Sequence, residues 1–450
     1  MERSIAAIDL KSFYATVECI ERGLDPFSTP LVVCDEERSP NTIVLAASPY
    51  AKQLGIPSRC RKYELPHIKG LILAVPRMEL YVKKSAEVMD IIFDFVGEDD
   101  VHIYSIDEAF IDLTPYLKMY KMTPRQLTKK IMDTILERTG LFTTAGIGPN
   151  ILMAKVSLDI EGKKAKDSIA EWTMDDVQTK LWPITPLTKM WGISHNLERR
   201  LNALGIRKIG DLATYPLEIL KEKFGIMGEQ LYNHANGIDE AQIREKYVPE
   251  STSLSLGQTL FRDYTFDETK LLLREMVDDL CYRMRTYGLK TNLIAFSAGY
   301  SKPYDFGFGK QISLDHQTDD NNEIYKTLMH HYEKYRTSNY FRKLYISFGK
   351  FSKEEYEQLD LFIDQEEKEK NKNLNKALDE IKHTFGKSAV LRATSELDTS
   401  MVKIRNKQIG GHRKWTIAEW KSGLLINHLM SKKLFLIKCV KKEVELKNLS

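Results

Sequence analysis

The chain has 450 residues, and at about 100–200 residues per domain that length implies two to four domains. Apolar residues make up 42% of it and charged residues 29%, an ordinary globular mix that excludes bulk disorder, collagen and membrane-embedded classes. The 66 Lys and Arg against 63 Asp and Glu leave a net charge of +3, too mild to name an acidic partner, because a basic groove can hide inside a balanced total.

Five cysteines (Cys19, Cys34, Cys60, Cys281 and Cys439) are scattered and never spaced C-x-x-C. That argues against a disulfide framework or zinc knuckle and for a reducing cytoplasm. The first residues carry one basic side chain and an apolar run broken at Asp9, a poor secretory signal. The apolar stretches 70–75 and 434–437 fall far short of the roughly 20 residues that span a bilayer. The sequence predicts a soluble cytoplasmic protein.

In chain order, Ile5–Ile8 reads as a short buried strand ending in Asp9, and a helix follows with Phe13, Val17 and Ile20 on one face. Strands are expected at Leu31–Cys34 and Ile43–Ala46, around the turn Ser39-Pro40-Asn41. Val101–Leu113 reads as two strands meeting at Asp107-Glu108, with no glycine or proline there to explain the break. Thr123-Pro124 caps a helix to Thr139, then come a strand at Thr143–Ile147 and a helix from about Asn150 to Asp159. Strands alternating with helices over the first 175 residues predict an α/β or α+β catalytic body.

Residues 187–237 turn helical. A helix at Leu197–Leu204 is followed by Gly205-Ile206-Arg207-Lys208-Ile209-Gly210, which resembles a helix-hairpin-helix whose turn N–H groups can grip a DNA phosphate. A plain helical hairpin with glycine C-caps fits the same residues. Residues 251–350 return to mixed structure, with a helix at Glu268–Tyr287 and strands at Asn292–Ala298 and Leu344–Phe348, enough for a separate domain. Glu366–Lys376 reads as a solvated helix or a linker.

Asp9 at a strand end and Asp107-Glu108 at a strand junction could form one carboxylate patch, which is costly unless a cation neutralises it; Mg²⁺ takes oxygen ligands together with substrate phosphates. Two such ions can activate a hydroxyl and hold a leaving phosphate oxygen. Taken singly, each acid is better read as an ordinary turn residue.

The runs carrying these acids are specific. Asp9–Glu18 resembles the opening motif of Y-family (UmuC/DinB-type) translesion DNA polymerases, and Tyr104–Phe110 is similar to their second catalytic motif. Gly146–Asn150 with Leu152–Lys155 and Asp159 is similar to their third. The resemblance implies an α+β right-hand polymerase: palm (1–20 and 75–175), fingers (21–74), a helix-hairpin-helix thumb (176–242) and an α/β little finger (250–352), with a clamp-binding segment and tail at 353–450. It implies two Mg²⁺ ions ligated by Asp9, Asp107, Glu108 and the Leu10 carbonyl, with deoxynucleoside triphosphates and primer–template DNA as substrates. Tyr14 takes the steric-gate position beneath the sugar; a core tyrosine on the amphipathic helix is the other use of such a residue, and the motif context favours the gate.

For the triphosphate, the family's fingers arginine maps onto Lys52 when the segment is anchored on Gly55, with Tyr50 beside the aligned tyrosine position, Pro49. A second cation is expected after the third motif. Strict spacing lands on Gly162, making Lys163 the candidate and Lys155 the structural alternative.

Gln358-Leu359-Asp360-Leu361-Phe362 resembles the bacterial sliding-clamp peptide, in which a glutamine and apolar anchors fill a small pocket. Residues 383–413 look like the tail of UvrX-like members from Gram-positive bacteria, phages and plasmids. From Lys403 onward, 12 Lys and Arg stand against 3 Asp and Glu. Such a tail suits nonspecific phosphate contact and suits an irregular extension equally. An accessory subunit of the UmuD-like or RecA type is left open by the resemblance. Two rivals remain: a two-metal nuclease or phosphatase, which would lack the gate and fingers cation, and a catalytically inactive clamp- and DNA-binding accessory, which would be expected to have lost a metal carboxylate.

Overall fold

The computed structural model describes residues 3–57, 59–245, 252–301, 307–336, 340–353 and 365–414, which fall into two compact units on either side of residues 246–251. The architecture is α+β.

In the first unit the apolar run at the start becomes β1 (Ile5–Leu10), buried on both faces as a run without polar alternation requires. Helix α1 (Phe13–Ile20) follows. β2 (Leu31–Val33), β3 (Ala46–Ala47) and β4 (Ile72–Ala74) form a small sheet in the order β3-β2-β4, with α2 (Pro49–Gln53) after β3. The strand expected at Ile43–Ala46 shrinks and shifts. Only Ala46 and Ala47 pair with Val33 and Val32, and Ile43 makes one isolated bridge to Arg61. Val44 N–H is drawn off to the Cys60 carbonyl, so the local ladder divides between two partners.

Helix α3 (Met78–Phe93) leads to β5 (Val101–Ile103) and β6 (Glu108–Asp112). After α4 (Leu117–Tyr120) comes α5 (Pro124–Thr139), capped by Thr123 and Gln126 reciprocally. β7 (Thr143–Gly148), α6 (Ile151–Ser157, capped by Asn150) and β8 (Ile169–Glu171) complete a five-stranded sheet in the order β5-β6-β1-β7-β8. The helix expected to run to Asp159 ends as an α-helix at Ser157 and continues as a π turn, Leu158–Gly162. Helices α7 (His195–Asn202), α8 (Ile209–Ala213), α9 (Leu217–Phe224) and α10 (Ile226–Ala235) close the unit around Leu201, Ile206, Ile209, Leu212 and Leu220.

The second unit is a four-stranded antiparallel sheet in the order β11-β10-β12-β9, from β9 (Ser253–Thr265), β10 (Lys290–Tyr300), β11 (Phe308–Thr318) and β12 (Tyr340–Ser352). Helices α11 (Phe266–Thr286) and α12 (Asn321–Tyr335) share one core with it, Met276, Leu280 and Leu328 meeting Ile294, Ile346 and Phe348. The polar stretch expected at 366–376 lies within a helix, α13 (Gln365–Phe385), held to α11 by Arg285, whose Nε is 2.6 Å from Asp379. Beyond it, Lys387 pairs with Asp279 at 2.8 Å and Arg392 with Asp278 at 2.6 Å. Ser400 Oγ and Met401 N–H donate to Glu275. The segment then ends in α14 (Val402–Asn406) and the hairpin β13 (Gln408–Ile409) and β14 (His412–Arg413). No helix among the described residues is long and apolar enough to cross a membrane.

Candidate active site

Strand pairing gathers the acids. β1 and β6 run antiparallel with Asp9 opposite Glu108, and Leu10 N–H donates to the Asp107 carbonyl at 2.8 Å. The break before β6 needs no glycine, because Tyr104 and Ser105 N–H both donate to the Glu108 carbonyl, at 3.0 and 3.1 Å. Ser105 Oγ lies 2.6 Å from Asp107 Oδ1 and orients it.

Lysines meet these carboxylates. Buried Lys155, on α6, places Nζ 2.7 Å from Glu108 Oε1 and 2.9 Å from Oε2, donating to Oε2. It also lies 3.2 Å from Asp159. Lys163 Nζ stands 3.2 Å from Asp9 Oδ2 and 2.8 Å from Asp159 Oδ1. Lys52, near the end of α2, donates to Ser12 Oγ at 2.9 Å. Tyr50 shares that short helix, two residues earlier.

Electrostatics follow from this crowding. Burial pushes the Asp9 carboxyl up, with Lys163 opposing and Asp107 reinforcing. Burial likewise raises Glu108, against Lys155 and with Asp9. Lys52 is lowered by burial although Asp9 supports its charge. Lys163 is raised: burial works against its charge, but Asp9 and Asp159 prevail.

Lys163 owes its place to the π turn. Its N–H donates to the Leu158 carbonyl, five residues back, at 3.0 Å, so the turn holds one residue more than an α-turn. The expected spacing falls on Gly162, which instead packs on β7 so tightly that a Cβ would stand 2.4 Å from the Ala145 carbonyl oxygen.

Among the described residues no three His, Cys, Asp or Glu side chains converge closely enough to hold a metal as they stand; ammonium groups neutralise the acids instead. The donor set nevertheless fits a hard divalent cation. It offers carboxylate oxygens on adjacent strands, and Glu108 Oε1 is buried without a well-directed hydrogen bond.

Comparison with known proteins places the chain in a family. The model of the impB/mucB/samB family matches residues 8–159, that of its C-terminal domain matches 251–361, and one described as the DNA polymerase-iota thumb domain matches 188–239. The protein named UvrX in Bacillus subtilis (strain 168) is 36% identical over 91% of this chain and 98% of its own length. DNA polymerase IV 2 of the same organism is 33% identical over 92% and 99%. The chain belongs to the Y-family of DNA polymerases. DNA polymerase IV of Pelotomaculum thermopropionicum is 31% identical over 92% of this chain and all of its own. A solved Y-family polymerase chimera shares the fold, with a TM-score of 0.61 at 21% identity, covering 77% of this chain and 98% of that one.

Within this Y-family chain the thumb turn departs from the sequence expectation. Arg207 and Lys208 N–H both donate to Asp211 Oδ2, at 2.9 and 3.0 Å. Ile209 and Gly210 N–H go to the Ile184 and Trp182 carbonyls, and those of Gly205 and Ile206 return to α7. The turn's N–H groups are therefore committed within the protein, leaving the exposed side chains of Arg207 and Lys208 to face solvent. Gly205 holds φ at +85° as a helix-end glycine.

Tyr14, on α1, is half-buried and stacks on Tyr81, with ring centroids 4.4 Å apart. Burial, reinforced by Asp107, raises its hydroxyl pKa. Residues 358–362 lie outside the described residues. Sequence reasoning missed Ser105 and Ser12 as orienting hydroxyls and Asp159 as the acid shared by two lysines. The Lys155-x₃-Asp159-x₃-Lys163 spacing was the available signal, since residues four apart on a helix are neighbours.

Proposed function

We propose that this chain is a translesion DNA polymerase that adds deoxynucleotides to a primer 3′ end across damaged template, with two Mg²⁺ ions held by Asp9, Asp107, Glu108 and the Leu10 carbonyl. The pairing of Asp9 with Glu108 beside Asp107 carries this reading. When bound, the divalent ions supply charge neutralisation at the triphosphate and raise the acidity of the primer hydroxyl. Lys52 and Lys163 complement triphosphate oxygens as point charges, without the bidentate fork an arginine would bring, and Tyr50 borders them. Lys155 stays with Glu108 and Asp159, fixing the acids' orientation. Phosphoryl transfer needs mainly positioning and neutralisation, and the three lysines with three acids provide both.

Tyr14 is the sugar gate. Arg207 and Lys208 contact DNA phosphates through their side chains, at the turn spanning Gly205, Ile206 and Gly210. The palm, fingers, thumb and little-finger boundaries and the cytoplasmic setting are proposed as the sequence gives them. Gln358, Leu359, Asp360, Leu361 and Phe362 form a sliding-clamp peptide. Retention of Asp9, Asp107 and Glu108 argues against the inactive-accessory alternative.

Primer extension by the purified protein on undamaged and abasic templates tests the reading. Asp107→Ala and Glu108→Ala should each abolish incorporation while retaining primer–template binding. Wild-type extension by either variant refutes the assignment.

A further inference from the structure

Glu18 is a fully buried carboxylate that no step above uses. It lies one turn beyond Tyr14 on α1, and Tyr81 of α3 spans the two. The Tyr81 ring lies nearly parallel to that of Tyr14, at 16° and 4.4 Å, and its hydroxyl donates to Glu18 Oε1 at 2.6 Å. Arg77 Nε and Nη2 donate to Oε1 and Oε2 at 3.0 and 2.8 Å, and Arg22 closes on Oε2. Phe13 meets the edge of the same Tyr81 ring at 6.4 Å.

A ring that merely filled space needs no hydroxyl. Burying one costs stability unless it is bonded, and burying a carboxylate to receive it costs more unless cations accompany it. Here both conditions are met by two arginines brought to one acid. The result is a Tyr81 ring fixed at its plane by stacking and at its tip by a charged hydrogen bond. Tyr14 rests on it.

We propose that Tyr81 and Glu18 are positioning residues for sugar selection, holding the Tyr14 ring at the height where it excludes a ribose 2′-hydroxyl. The proposal rests on the reading of Tyr14 as the gate. Steric exclusion is steep, since a gap of about 0.5–1 Å changes a contact substantially, and a backing ring that can tilt would lower the gate by that much.

The test compares kcat/KM for ribo- and deoxynucleoside triphosphates in Tyr14→Ala, Tyr81→Phe and the double variant. Tyr81→Phe keeps the ring and removes only the anchor; its deoxynucleotide incorporation reports that it is folded. Selectivity against ribonucleotides should fall roughly three- to tenfold, the scale of one typical hydrogen bond lost, through a gain in ribonucleotide kcat/KM. In the Tyr14→Ala background the same change should have no effect, because coupled residues are not additive. Glu18→Gln, isosteric with the native side chain, loosens the anchor from the other side and should move selectivity the same way. Unchanged selectivity in Tyr81→Phe, an equal loss for both sugars, or an effect that persists without Tyr14 overturns the proposal. Unchanged selectivity in Tyr14→Ala instead overturns the gate reading beneath it.

Discussion

Lys163 and Asp9 meet at 3.2 Å, one just past a π turn and the other near the end of β1. Neither the charge nor the chemistry of the pair is unusual. What is unusual is that an extra residue in a helical turn delivers the lysine while a glycine takes the position that spacing would have given it.

Gly162→Ala tests that arrangement. The added Cβ would lie 2.4 Å from the Ala145 carbonyl oxygen, so backbone must shift, at a cost of about 1–3 kcal/mol for overpacking. For a unit of this size, that corresponds to a fall in Tm of roughly 2–4 °C per kcal/mol. KM for the nucleotide should rise as Lys163 is displaced. An unchanged Tm in thermal unfolding would show that the turn is not tightly seated.

Lys155→Met removes the counter-ion of a buried acid. Breaking such a pair typically costs about 3–5 kcal/mol. Burial already raises the Glu108 pKa against Lys155. A raised carboxyl favours the folded state below its unfolded pKa, and that contribution is lost as pH rises through the folded value. Without Lys155 the deficit should therefore be large at neutral pH and shrink toward about pH 4. Added Mg²⁺ should stabilise the variant more than the wild type, because the cation replaces the missing charge. Equal thermal shifts in a Mg²⁺ titration would contradict this.

The clustering of Asp9, Asp107 and Glu108 was legible because each acid sits at a motif whose strand pattern also stands out, and β1 and β6 formed as their apolar runs required. The rest was hidden for physical reasons. The four-residue spacing of Lys155, Asp159 and Lys163 pairs their charges, but nothing in it announces the π turn that sets the place of Lys163. Tyr81 and Glu18 are 63 residues apart, and only packing reveals that one side chain bridges two positions on α1. The docked segment after Gln365 looked like solvated charge because its partners, Glu275, Asp278 and Asp279, read as the polar face of another helix.

That docking should be acid-sensitive. Burial opposes ionisation of Asp278, but Arg392 and Asn321 outweigh it and hold its carboxyl below the usual range. A depressed carboxyl contributes stability above its unfolded pKa, near 3.9, which is lost as pH falls through the lower folded value. Arg392→Ala at neutral pH, or the wild type at a pH below about 3, should expose residues 386–414 to limited proteolysis. Full protection of that segment in Arg392→Ala would show that the ion pair does not hold it.

Recruitment should separate from chemistry. Leu361→Ala with Phe362→Ala should weaken clamp binding severely, since anchors at such hot spots cost about 2 kcal/mol or more each. Clamp-free primer extension should scarcely change. Clamp affinity that survives both substitutions refutes the tether, and lost clamp-free activity assigns those side chains to the fold.

Gly146 and Gly148 lie where α6 crosses β7 almost backbone to backbone. A Cβ at Gly146 would stand 2.2 Å from the Ala154 carbonyl oxygen, and one at Gly148 would stand 2.6 Å from Ala154 N. Neither position offers a tolerable neighbour in sequence space, because alanine is already too large. A mutational scan scored on activity would therefore mark both as indispensable, beside the motif acids proposed to take part in the reaction. Intolerance at these two glycines measures the spacing between a helix and a strand, and a map of sensitive positions would overstate the extent of the reactive centre by the width of that crossing.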